Sequence, residues 1–135
     1  MLAMEKWIAK RPEWFQTCKL DTVPVCSGWS QLLDDVFEQV DQIIFHYPTA
    51  SFQFLQIKEK FGGLRIYRQR DGLPRNAADQ IAQIISNADT LSFKTCEICG
   101  SFAALGSNGQ TYMVRCIPCA PENWKPVEEN LFLLI

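Results

Sequence analysis

Four cysteines carry the most specific chemistry in this 135-residue chain. Cys96-Glu97-Ile98-Cys99-Gly100 and Cys116-Ile117-Pro118-Cys119 each place two thiols on one tight turn. Residues 100–115 separate the pairs, a length that a hairpin spans while bringing both turns together. Four sulfurs so placed meet a metal tetrahedrally at about 2.3 Å. The expected occupant is one structural Zn2+ on Cys96, Cys99, Cys116 and Cys119. Four thiolates fill the coordination shell and leave no position for water or substrate, which argues against catalysis at the metal. The same donor set also suits an iron–sulfur cluster. Disulfides need an oxidising compartment, and a redox CxxC needs no second pair at this spacing.

Other chemistry is sparse. His46 is the single histidine, so histidine metal clusters and two-histidine acid–base schemes are excluded, and no nucleophile motif accompanies it. There is no Walker-type loop and no GxGxxG. The expectation is a non-enzymatic protein. Cys18 and Cys26 lack knuckle spacing and read as buried free thiols.

Charge is uneven. Residues 56–75 hold Lys58, Lys60, Arg65, Arg68, Arg70 and Arg75 against Glu59 and Asp71, whereas Asp34, Asp35, Glu38 and Asp41 lie together with no base among them. Lys58, Lys60, Phe61, Arg65 and Arg68 are the candidate partner-binding residues. Because +4 and −4 balance, the basic segment is expected to pair with the acidic one, to solvate the sheet, or to meet an acidic protein. The alternative is a nucleic-acid module, with phosphates on the cations and Phe61 or Tyr67 stacked on a base.

These groups need a scaffold. Leu2 to Lys10 can form a short helix, with Pro12 opening another turn. Trp7, Trp14 and Trp29 are expected to seal the domain's own core. Leu33, Val36, Phe37, Val40, Ile43, Ile44 and Tyr47 share one helical face, predicting a helix capped by Ser30 and stopped by Pro48. Phe52 and Phe54, then Leu55 and Ile57, alternate with one phase slip, the mark of a bulged strand. Gly62-Gly63 and Leu64, Ile66 and Tyr67 complete a hairpin. Asn76 and Asp79, in capping-box spacing, open a second helix with Ile81, Ile84, Ile85, Ala88 and Leu91 as its buried stripe. Phe102 to Leu105 and Thr111 to Arg115 are short strands between the cysteine pairs.

The order implies an α+β fold: two amphipathic helices packed on a small antiparallel sheet, with a C-terminal zinc ribbon. Residues 1–93 form the body and 94–135 the ribbon with its apolar tail, packed as one compact unit. A net charge of −2 excludes a wholly basic nucleic-acid coat. No apolar run approaches the roughly 20 residues of a membrane span, and MLAMEKWIAK lacks a secretory apolar stretch. The expected location is the cytoplasm, with no membrane partner. Leu131-Phe132-Leu133-Leu134-Ile135 is expected to dock on the body. Nothing in the sequence sets an oligomeric state.

Gly28-Trp29-Ser30-Gln31-Leu32-Leu33, the hairpin Gln56 to Tyr67 with its KEKFGGLR core, and Cys96 to Cys119 follow Arg11-Pro12-Glu13-Trp14-Phe15 in that order. In this the chain resembles a family of small uncharacterised bacteriophage and prophage proteins. The resemblance covers most of the chain but not the loop before Gly28 or the LFLLI tail. It implies a phage or mobile-element accessory protein; in that setting the leading expectation is a protein that acts by binding a protein partner, such as a host defence protein or a toxin that it inhibits. It implies no activity.

Overall fold

The computed structural model describes residues 2–20 and 27–128. Helix α1 (Leu2–Lys10) and a 3-10 turn at Pro12–Trp14 lead towards a second such turn, Ser27–Trp29, which runs straight into α2 (Ser30–Ile44). Apolar residues at i, i+3, i+4 and i+7 give α2 its buried face, Leu33, Val36, Phe37 and Val40. Trp7, Trp14 and Trp29 are buried as expected. Trp7 stacks on Trp14 with ring centroids 5.7 Å apart, and Trp14 meets Phe52 and Phe54 edge-on. These rings join α1, α2 and the hairpin in one core.

The acidic face of α2 is matched by α1 and not by the basic hairpin. Asp34 accepts from Trp7 Nε1 at 2.7 Å and from Lys6 Nζ at 3.0 Å. Those two donors hold its carboxyl below the usual range. Asp41 takes Arg11 Nε at 2.7 Å and Lys10 Nζ at 3.6 Å. Ser30 is not a cap. Its hydroxyl accepts from the Ala3 backbone N–H at 3.3 Å, tying α1 to α2, and the residue before the helix, Trp29, makes no side-chain cap. The helix also ends before Tyr47. That residue precedes Pro48 and is pushed out of the α region, so the last turn tightens through His46 N to Ile43 O and Tyr47 N to Ile44 O.

Strands β1 (Ser51–Lys60) and β2 (Gly63–Asp71) pair antiparallel, with the anticipated register break between Phe54 and Gln56. Phe52, Phe54, Ile57, Leu64 and Ile66 bury one face. Lys19 lies along the other edge of β1, donating to Leu55 O and accepting from Ile57 N. Helix α3 (Arg75–Ser92) begins one residue early, after an extended Pro74, with no capping box at Asn76. Its inward stripe is Ala77, Ala78, Ile81, Ile85, Ala88 and Ser92. Leu91, expected inside, is half exposed because Ser92 takes that place and accepts from Leu64 N at 2.9 Å.

The ribbon contributes β3 (Ala104–Ser107), β4 (Tyr112–Arg115) and β5 (Lys125–Pro126), ordered β4-β3-β5. The first strand starts two residues later than expected and continues through Gly106. A Cβ on Gly106 would lie 2.1 Å from the Trp124 ring, so only glycine lets that indole cover the strand. The turn falls at 108–111, where Asn108 Oδ1 accepts from Gln110 N and Thr111 N. No helix among the described residues is long and apolar enough to cross a membrane. Cys26 and the Leu131–Ile135 tail lie outside the described residues.

Candidate metal centre

Each cysteine pair sits where backbone hydrogen bonds force a tight turn. After α3, Thr95 bridges Phe102, Cys96 N donates to Ser101 O at 2.8 Å, and Gly100 N returns to Cys96 O at 2.9 Å. Gly100 turns with φ +82°, a conformation that glycine adopts without strain. Strand β4 delivers Cys116, and a 3-10 turn over Ile117–Cys119, set by Pro118, brings Cys119 back beneath it. The Glu97 N–H donates to Val114 O at 3.1 Å and couples the first turn to β4.

The result is a four-sulfur cluster. All four sulfurs lie within 4.8 Å of one another, and Cys99 and Cys116 stand 3.5 Å apart. A tetrahedron of thiolates about 2.3 Å from an ion has edges of about 3.8 Å. The donor set can therefore hold a metal ion with little movement. Cys96 and Cys116 are buried, Cys119 half-buried and Cys99 exposed. Hydrogen bonding with Ser101, whose hydroxyl lies 3.2 Å from Cys99 Sγ, draws the Cys99 thiol down to about 6, while the neighbouring Cys116 thiol, burial and the other sulfurs hold Cys119 up at about 12. Burial raises Cys116 as well. Four thiols this close cannot all ionise together unless a cation offsets their charge.

Two residues that sequence reasoning passed over brace the site. Arg115 Nε donates to Glu97 Oε1 at 2.7 Å, and its Nη1 donates to Cys119 O at 3.0 Å. One guanidinium thus joins both turns. Burial pushes the Glu97 carboxyl up and Arg115 opposes this. The signal was available as an acid directly after the first cysteine and a base directly before the third.

The body grips the ribbon with glycines. Gly28 N donates to Glu97 O at 2.9 Å, and a Cβ there would lie 2.0 Å from Cys96 O. Trp29 Nε1 donates to Thr95 O at 3.0 Å. At the hairpin end, a Cβ on Gly62 would lie 2.5 Å from Leu105 Cδ1 of the ribbon, and one on Gly63 would lie 2.3 Å from the ring of Phe93, the last body residue, which packs against the ribbon core. The GW and FGG stretches are where body backbone touches the ribbon.

The candidate partner-binding residues divide. Lys58 pairs directly across from Arg65, and Lys60 follows on the same face of the strand. Phe61 occupies the hairpin tip. Arg68 is an odd number of residues from Arg65 and so belongs to the opposite face of β2. Arg65 forms an ion pair with Asp89 of α3 and lies over the Phe93 ring. Cys18 is free but only half-buried, its thiol pushed up to about 11 by burial. His46 is exposed against Phe45. No family model, curated protein or solved structure matches the chain.

Proposed function

We propose that this protein is a non-enzymatic nucleic-acid-binding module, with one Zn2+ on Cys96, Cys99, Cys116 and Cys119 fixing the ribbon against the basic hairpin. The observation that carries this reading is where the acidic helix spends its charge. Asp34 and Asp41 are engaged by Lys6, Lys10 and Arg11. Among the described residues, Lys58, Lys60, Arg68 and Arg70 form no ion pair with a carboxylate. Cations left uncommitted on a sheet are what a phosphate backbone needs.

A second reading, a protein partner, has its own support. Each cysteine turn presents an exposed aliphatic residue, Ile98 and Ile117, which suits docking to an apolar surface. The resemblance to phage proteins fits an accessory role in a host cytoplasm under either reading.

Salt separates the two. Fluorescence anisotropy with a labelled oligonucleotide should show log affinity falling with log salt, by about 0.7 per phosphate contacted on a single strand. Lys58→Gln with Lys60→Gln should make that slope shallower. Partner capture from a host lysate that survives nuclease, with no oligonucleotide binding at low salt, overturns the nucleic-acid reading in favour of a protein. Metal analysis of the purified protein should return one zinc per chain.

A further inference from the structure

The hairpin tip is held by Glu59 Oε1, which accepts from Gly62 N at 2.7 Å, yet its first loop residue carries a backbone cost. β1 and β2 are joined by the two-residue loop Phe61-Gly62, with Lys60 paired to Gly63 and φ of +53° and +91°. This is the type I′ geometry, whose first central position favours asparagine, aspartate or glycine. A phenylalanine there is strained, since its Cβ crowds the backbone at positive φ. Among the described residues it is the one non-glycine with positive φ. Its ring does not recover the cost by burial, because Phe61 is 68% exposed. Next to it, Lys58 stands directly opposite Arg65; Asp89 offsets Arg65, and no carboxylate among the described residues pairs with Lys58.

The surroundings indicate what the ring meets. Lys60 Nζ lies 5.9 Å from the Phe61 ring centroid. Tyr112 of β4, itself 45% exposed, has its Cβ 3.3 Å from where a Cβ on Gly62 would sit. Tyr67, also exposed, shares the outer face of the hairpin with Lys58 and Arg65. An exposed ring beside Lys60, with Lys58 on the same strand face, offers a flat face to a base and charge to phosphates.

Resting on the nucleic-acid reading above, we infer that the tip is a stacking platform for single strands, with Phe61 taking an unpaired base while Lys58 and Lys60 hold its flanking phosphates. A duplex keeps its bases stacked on each other and offers the ring none. The backing of Gly62 by Leu105 and Tyr112 fixes the angle at which the ring is presented.

The test uses the metal-loaded whole chain, a labelled single-stranded oligothymidylate and a duplex of equal length. Wild type should prefer the single strand. Phe61→Asn should lose about tenfold or more in single-strand affinity, while its melting temperature holds or rises because asparagine suits the turn. Phe61→Trp should keep the affinity. Equal affinity for single strand and duplex, or an Asn variant that binds single strands like wild type, overturns the stacking role and leaves the phosphate reading standing. Binding to neither probe at low salt fails the function proposed above, and the platform with it.

Discussion

At the scale of single residues, the decisive contacts are charged groups that the fold has taken partly out of water. Arg115 holds Glu97 and the Cys119 carbonyl together, with both charged side chains largely covered. Removing one member of such a pair strands the other. Arg115→Ala should cost about 3 kcal/mol in urea unfolding, and adding Glu97→Leu should recover part of the loss. An Arg115→Ala protein as stable as wild type would show that the strut does nothing. Asp34 gives a pH-dependent counterpart. Its carboxyl is held below the ordinary range by Trp7 and Lys6 in the folded state, so its contribution is present above the unfolded pKa of about 3.9 and is lost as pH falls through the lower folded value. Wild type should therefore exceed Asp34→Asn in stability at neutral pH, with the gap closing on acidification. A gap that widens towards low pH would contradict the assignment.

At the scale of elements, what was legible in the sequence was periodicity, and what was not was competition for polar groups. Six apolar residues at helical spacing, Leu33 to Ile44, marked α2, and the phase slip after Phe54 marked the bulge, because each pattern is enforced by one continuous core. The four-cysteine cluster was legible for a similar reason: the spacing of its knuckles closes only one way. Ser30 and Asn76 looked like caps, yet a local cap signal yields when another element offers a better partner or entry. Ala3 N–H claims the Ser30 hydroxyl, and the rigid, extended Pro74 starts α3 without Asn76. The pairing of α2 with α1 was hidden because net charge counts signs and not neighbours. The roles of Gly28 and Gly62 were hidden because a close approach leaves no trace in composition. Gly28 gives a direct check on the element contact. Gly28→Ala drives a methyl into the Cys96 carbonyl and should cost about 3 kcal/mol. Gly109→Ala, with open space around it but φ of +94°, should cost only about 1 kcal/mol. Equal costs measured by thermal unfolding would mean that the body does not grip the cysteine turn at Gly28.

At the scale of the whole molecule, the chain holds two cores of very different size. One joins α1, α2, α3 and the hairpin around Trp7, Trp14, Trp29, Phe37 and Phe54. The other consists of Cys96, Ala103, Val114 and Cys116, with Phe93, Leu105 and Cys119 against it. Even with Ala104 and Trp124 buried beside them, these residues make a core too small to hold a sheet of such short strands unaided, since burial at this size does not offset chain entropy; a metal ion on the four thiols would supply the rest. The larger core has no such need. Chelation should therefore melt the ribbon alone: helical circular dichroism persists, while the amides of β3 and β4 lose their hydrogen-exchange protection. The loss should reach the hairpin tip, because Leu105 and Tyr112 of the ribbon back Gly62. On the nucleic-acid reading proposed above, oligonucleotide affinity should fall on chelation even though Lys58, Lys60 and Phe61 are untouched, and should return when zinc, the proposed metal, is added. Collapse of the helical signal together with the ribbon would instead show that the ion sustains both cores. Full affinity after chelation would show that the hairpin presents its ring without the ribbon behind it.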